Sequence, residues 1–360
     1  MYDVVVIGAG AVGLSVARRV VEKGGSTLVL DAHPAGGRGS RAAAGVAIPS
    51  VRLLQDPELH QFATAGAARL DEDLSGLEDG RPLRRGRGVL RLVEQEEQRE
   101  TFEEEAAARD LDPGRWLDAG DLVGAEPLLR GGRFVGGYAG TDGYLVDTDA
   151  YLDAMLRDAL GRGCEVGLGE TVISVAQASG GSAVVTDRRE VRGEQVVLAA
   201  GAWSGAIPGL PRLPVSPLRG QMATIHQAGT NLERIVSGRA YLAPWRGSEI
   251  VLGASEEDAG FAEENTPAGM AFLFAGLIRM APGLRGARLT RAWAGLRAST
   301  PDGRPLLGRI PDSPGVVVAT GHGGQGILSA ALTGDAVAEI LGSGTSFLGE
   351  AFAPSAAVGG

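Results

Sequence analysis

The chain has 360 residues, 44% of them hydrophobic, which supplies a substantial core and suggests two domains. Its 34 basic residues are outnumbered by 44 acidic ones for a formal net charge of −10, and no basic patch or aromatic ladder interrupts that balance, so no nucleic-acid partner is expected. Cys164 is the only cysteine, and His33, His60, His226 and His322 show no ligand spacing, so neither a disulfide nor a metal centre is expected.

The segment "YDVVVIGAGAVGLSVARRVVEKGGSTLVLD" reads as strand, glycine turn, helix and second strand. Val4, Val5, Val6 and Ile7 form the continuous apolar run of a parallel strand buried on both faces. Gly8, Gly10 and Gly13 follow as G-x-G-x-x-G, with Ala11 and Val12 opening the helix. Val12, Val16, Val20 and Val21 give that helix its apolar stripe, and Gly24 and Gly25 stop it. Asp31 ends the second strand where an acid can bind a ribose hydroxyl. The pattern predicts a dinucleotide site with a pyrophosphate at the helix N-terminus. Because a strand pattern starts at the N-terminus, the reading leaves no room for a signal peptide, and no apolar run reaches transmembrane length. A soluble cytoplasmic protein with no membrane span is expected.

"AHPAGGRGSRAAAGVAIPS" is rich in small residues, which suit a loop or a backbone packed along a ligand. A helix is predicted from about Pro57 to Leu74, a strand in "RRGRGVLRLV", and an exposed acidic helix in "EEQRETFEEEAAARD". Asp147 or Thr148 caps a helix carrying Leu152, Leu156 and Leu160 on one face. "QVVLAAG" is a second buried strand followed by glycine. Residues 213–290 read as hairpins, from "GQMATI", "GRAYLAPW" and "EIVLGAS". "GVVVATG" is a further buried strand, and Ile327 to Leu341 a closing helix. Gly321, Gly323, Gly324 and Gly326 crowd in front of that helix, a density that calls for positive φ or close backbone approach.

Taken in order, "VVVIGAGAVGLSVA", "GSRAAAG", "VVLAAGAWS", "LRGQM", "AGLRASTPDGRPLLG" and "ATGHGGQGI" resemble the D-amino-acid oxidase superfamily of FAD enzymes, in its glycine oxidase and sarcosine oxidase branch. The likeness covers nearly the whole chain. It implies an α/β fold in which a Rossmann-like, glutathione-reductase-type FAD domain is threaded through an α+β substrate domain with an antiparallel sheet. The expected division is 1–80, 141–212 and 291–345 for the FAD domain, 81–140 and 213–290 for the substrate domain, and 346–360 as a tail. The resemblance implies noncovalent FAD held by Gly8 to Gly13, Asp31 and Ala32. Ser40, Arg41, Ala43, Ala44 and Gly45 are implied from the small-residue loop, and Val172, Ala200, Gly201 and Trp203 around the second nucleotide-contacting strand. Gly220, Arg297, Gly321, His322, Gly323, Gly324, Gln325, Gly326 and Ile327 are implied from the substrate sheet and the last glycine loop. A helix starting near Gly326 would aim its positive end at the flavin pyrimidine oxygen.

The implied reaction is hydride transfer from the α-carbon of a small amino acid or amine bearing a carboxylate, with O2 or another acceptor taking the electrons. In that reading Arg297 and Tyr241 clamp the carboxylate. Otherwise Arg297 is a structural ion pair with Asp302, and Tyr241 a core aromatic. His322 is the one titratable candidate beside the flavin loop, better suited to hydrogen bonding or packing than to base catalysis. Lys23 ends the first helix and cannot serve as the oxygen-assisting lysine of sarcosine oxidases. Cys164 lies between a helix and a strand, and Arg41 to Ala44 include no histidine for flavin attachment. Where glycine oxidases carry an arginine, this chain has Gly324 followed by Gln325, implying a roomier, less positive pocket and a bulkier amino acid. A D-amino-acid dehydrogenase using a quinone or carrier, and a non-catalytic flavin-binding subunit, stay open as alternatives. Relatives often form tetramers, so a homo-oligomer is among the expectations.

Overall fold

The computed structural model describes residues 1–34, 36–49, 56–78, 82–109, 111–141 and 143–354. The first strand, Tyr2–Ile7, lies at the centre of an eight-stranded sheet, with Val4 to Ile7 all buried. It pairs in parallel with Thr27–Asp31 on one side and Glu190–Leu198 on the other. Glu165–Leu168 extends the sheet in parallel beyond Thr27–Asp31, and Ser313–Thr320 pairs in parallel with Val196 to Leu198. The strands therefore come from the start, middle and end of the chain, as the apolar runs predicted. Helices Ala11–Glu22, Pro57–Leu77, Thr148–Gly161 and Gly326–Ser343 stack on one face. The first and last approach so closely that a Cβ on Gly334 would stand 2.8 Å from the Ser15 Cβ.

Charge is buried behind these helices in paired form. Arg18 reaches Asp73 at 2.8 Å and Asp158 at 2.7 Å, and the Tyr151 hydroxyl donates to Asp73 at 3.0 Å. Such a network survives burial because each charge has a partner; removing one would strand the other. It fixes the first helix, and with it the glycine turn, against two neighbours.

The second sheet has the order Arg288–Ser299, Ser216–His226, Glu249–Gly253, Tyr241–Pro244, Ile235–Ser237, Val89–Val93, Gly136–Gly140 and Arg115–Asp118. It is antiparallel except where Ile235–Ser237 meets Val89–Val93 in parallel. Arg288–Ser299 pairs along its length with Ser216–His226, so the strand bearing Arg297 belongs to this sheet and a boundary at 291 would cut it. Helix Pro267–Met280 covers one face, in a stretch expected to be hairpins. Its sequence, PAGMAFLFAGLIRM, is apolar on nearly every side, so no polar stripe marks it as a helix. The expected tail also docks: Leu307 N–H donates to the Phe352 carbonyl at 2.7 Å, and Phe352 packs on Phe62 at 4.9 Å. Residues 355–360 of that tail lie outside the described residues.

The two sheets are held together through the small-residue loop. The Trp293 Nε1–H donates to the Ala42 carbonyl at 2.9 Å, and a Cβ on Gly295 would stand 2.5 Å from the Ala42 Cβ. Only small residues permit that approach.

Candidate functional site

Between the sheets runs a cleft of about 780 Å3, within the range of roughly 300–1,000 Å3 typical of cofactor sites. Gly8, Gly10, Val12, Asp31 and Ala32 line it from the first strand, turn and helix. Ser40, Ala43, Ala44 and Gly45 line it from the small-residue loop, and Val172, Ala200, Gly201 and Trp203 from around the strand Glu190–Leu198. The second sheet contributes Gly220, Tyr241 and Arg297, and the last glycine loop His322, Gly323, Gly324, Gly326 and Ile327.

Ala11, Gly13, Arg41, Gly321 and Gln325 do not line the cleft. Gly13 serves helix–strand packing, since a Cβ there would stand 3.0 Å from the Gly8 carbonyl carbon. The Ala11 N–H donates to Ser40 Oγ at 3.1 Å, which ties the loop to the helix start. Arg41 turns to Asp149 at 3.0 Å and Asp153 at 2.6 Å. Gly321 has φ +81° against Thr300, and the Gln325 carbonyl accepts from Ser329 Oγ at 2.8 Å. The residues that do line the cleft beyond those expected include Gly36, Ala42, Met222 and Leu296. The run of small residues after Asp31 signalled the first two; Met222 and Leu296 follow from strand pairing that no local pattern shows.

Gly8 adopts φ +109°, and a Cβ there would come within 2.7 Å of the Ala199 carbonyl carbon, so the turn demands glycine twice over. Asp31 accepts from the Ala9 N–H at 2.7 Å and the His33 N–H at 2.8 Å. Burial raises its pKa, and those two backbone bonds oppose the rise. Each carboxylate oxygen keeps a lone pair for a further donor such as a ribose hydroxyl. At the last glycine loop, a Cβ on Gly323 would meet nothing within 4 Å, and one on Gly324 only Arg297 Nε at 4.0 Å. Gly323 also adopts φ +54°, which itself favours glycine, and both positions leave bare backbone along the cleft wall. The closing helix begins beside them at Gly326, with no side-chain cap from Gln325. Its positive end therefore meets the cleft unneutralised.

Arg297 lies partly buried in the strand Arg288–Ser299, and its Nη1 donates to the Ser255 carbonyl at 3.1 Å. Among the described residues it joins no ion pair; Asp302 instead accepts from the Arg304 N–H at 3.1 Å. The loop that anchors it is itself pinned. Ser255 Oγ and Gln221 Nε2 both donate to Glu257, which pairs with Arg219 at 2.6 Å. Tyr241 stands beside this cation. Burial pushes its phenol up to about 12, with Arg297 pulling the other way, so it is a neutral donor. His322 is buried, with Nε2 3.0 Å from Thr333 Oγ1 and its ring 6.4 Å from that of Phe62. Burial lowers its pKa to about 4, which leaves a neutral packing and hydrogen-bonding residue at pH 7. Cys164 is buried away from the cleft, and burial, then Glu165, raises its thiol to about 11.

Among the described residues no group of histidine, cysteine, aspartate and glutamate could hold a metal, and no helix is long and apolar enough to cross a membrane. The curated relatives include the bifunctional protein ThiO/ThiG of Nostoc sp., 32% identical over 351 residues, covering 94% of this chain and 52% of that protein. A glycine oxidase of Bacillus licheniformis is 29% identical over 347 residues, covering 94% of this chain and 93% of its own. The chain thus spans about half the length of the ThiO/ThiG proteins and nearly all of the glycine oxidases. Among solved structures, glycine oxidase from Geobacillus kaustophilus superposes with a TM-score of 0.92 at 23% identity, covering 99% of this chain and 98% of that one. Iminodiacetate oxidase from Chelativorans sp. BNC1 does so with a TM-score of 0.87 at 25% identity, covering 98% of each. The model of the FAD dependent oxidoreductase family matches residues 3–340, a span that takes in the whole lining of the cleft, and this chain, an FAD-binding oxidoreductase, belongs to that family.

Proposed function

We propose that this chain oxidises the C–N bond of a small amino acid, with O2 as the final acceptor. The observation that carries the reading is Arg297: a guanidinium that joins no ion pair among the described residues, standing beside a neutral phenol in a glycine-lined cleft. A guanidinium fork can take a carboxylate through two parallel charge-assisted bonds, which fixes orientation as well as affinity. Tyr241 adds a third donor. When bound, FAD supplies a hydride acceptor; the chain's part is to present the substrate α-carbon and keep it there. The resulting imine hydrolyses in water to an oxo acid and ammonia or an amine. The open space before Gly324 supports a substrate larger than glycine, including one with a substituted nitrogen.

The test is an anaerobic panel of primary and secondary amino acids, glycine, sarcosine and iminodiacetate among them, read by bleaching of the bound flavin. Peroxide release on admitting oxygen is then measured. Bleaching by one class with stoichiometric peroxide supports the reading. Bleaching without peroxide, but with dye reduction under nitrogen, would instead mark a dehydrogenase. Failure of every amine to bleach the flavin would leave a flavin-binding subunit and refute the oxidase.

A further inference from the structure

Two strand glycines sit directly beneath the side chains of the clamp. Gly220 lies in Ser216–His226 opposite Gly295, while Arg297, two residues on, lies opposite Leu218. The Arg297 guanidinium folds back across this diagonal onto Gly220. A Cβ at Gly220 would stand 2.7 Å from Nη2 and 2.8 Å from both Cζ and Nη1. Gly253 repeats the arrangement under the other partner. It pairs directly with Tyr241, and a Cβ there would come within 2.5 Å of the phenol Cζ and closer still to the hydroxyl.

Neither position is among the positive-φ glycines of the chain, so φ does not call for glycine at either. Glycine inside a strand costs about 0.5–1 kcal/mol relative to alanine and normally marks a place that something approaches closely. Here the approaching groups are the far ends of Arg297 and Tyr241. Those ends can move, so a methyl group at either glycine would displace the clamp and leave the sheet hydrogen bonds in place.

We propose that Gly220 and Gly253 are positioning residues of the carboxylate clamp. Gly220 lets the guanidinium lie flat on the strand, where Nη1 reaches the Ser255 carbonyl and the remaining N–H groups are held for the ligand. Gly253 lets the phenol lie against the neighbouring strand in the same way. Neither touches substrate; each acts through the side chain it seats. The proposal rests on the reading of Arg297 as the clamp.

The experiment uses FAD-loaded Gly220→Ala, Arg297→Lys, the double variant and Arg297→Ala. It measures flavin content, melting temperature, kcat/KM on the best substrate of the amino-acid panel, and Kd for an unreactive carboxylate, acetate, from the flavin absorbance change. Gly220→Ala should keep its flavin and fold but lose on the order of 10- to 100-fold in kcat/KM and in acetate affinity, the scale of misplacing a binding group by about 1 Å. The lysine head is not held over Gly220, so the double variant should be little worse than Arg297→Lys alone. Wild-type kinetics in Gly220→Ala, or losses that multiply in the double variant, would overturn the proposal. If Arg297→Ala is itself near normal, the clamp reading fails rather than the seating. Should Gly220→Ala lose flavin or fold, Gly253→Ala is judged by the same measurements, and loss of fold there too would assign both glycines to the sheet alone and overturn the proposal.

Discussion

Arg297→Ala is the perturbation that tests the site most directly. The side chain makes one described hydrogen bond, Nη1 to the Ser255 carbonyl, and joins no ion pair among the described residues. Truncation therefore strands no buried carboxylate, and the anchoring loop keeps its own bonds among Ser255, Gln221, Glu257 and Arg219. In the proposed reading, what is lost is the partner of the substrate carboxylate. Removing one member of a desolvated charge pair costs on the order of 2–4 kcal/mol, or roughly 30- to 1,000-fold in kcat/KM. Arg297→Lys should recover only part, since a point charge cannot reproduce the fork. Because Arg297 opposes the burial of the Tyr241 phenol, the alanine variant should also move that pKa further up. The assay is steady-state kinetics on protein shown to be folded and to carry FAD at wild-type stoichiometry. Near-normal kcat/KM in such a preparation would refute the clamp.

His322 gives a pH-dependent stability whose sign follows from burial. Its pKa is about 4 in the folded chain against an ordinary value of 6.5, so the unfolded chain binds the proton more readily between those values. The His322 contribution is full above pH 6.5 and falls as pH drops towards 4, by about 2 kcal/mol between pH 7 and 5; His322→Asn should flatten the slope by that amount, and the same pH dependence of urea midpoints in wild type and His322→Asn would refute a buried neutral imidazole. Gly8→Ala, forced to φ +109° against the Ala199 carbonyl, should lose about 2 kcal/mol or more and fail to retain flavin; a yellow variant with an unshifted melting temperature would contradict the turn geometry. Acid precipitation should release the flavin into the supernatant, and Cys164→Ala should keep its full flavin content; a yellow pellet would show a covalent link.

The dinucleotide half of the molecule was legible because its signals are local. An apolar strand, three glycines and a terminal acid within thirty-one residues specify one turn, and the structure puts Gly8, Gly10 and Asp31 on the same cleft. Helix starts were similarly readable: Asp147 caps Thr148–Gly161 by accepting from the Ala150 N–H. Helix Pro267–Met280 was not, because periodicity needs a polar face and this helix has almost none. Arg41 was placed in the right loop, but its charge is drawn to Asp149 and Asp153, more than a hundred residues away. No spacing rule shows that competition. The seating of Arg297 on Gly220 has no local signal for the same reason, since register between strands about seventy-five residues apart is set by the sheet.

The groups at the reacting end share one property that decides what the chain can contribute. Arginine stays charged at any working pH, the Tyr241 phenol titrates only near 12, and His322 is neutral above about 4. Across the neutral range none of them changes its protonation state, so none is poised near 7 as an efficient general base would be. Glu256, which also lines the cleft, is exposed at its rim. In the proposed reading such a site holds a carboxylate at a fixed height and angle, with the heads of Arg297 and Tyr241 lying over Gly220 and Gly253. Those are the contributions that hydride removal from an α-carbon requires, because the departing hydrogen takes its electron pair with it and calls for alignment with an acceptor rather than for a base. In the proposed reading the choice among amino acids falls to what occupies the space in front of Gly324, where a Cβ would meet only Arg297 Nε at 4.0 Å.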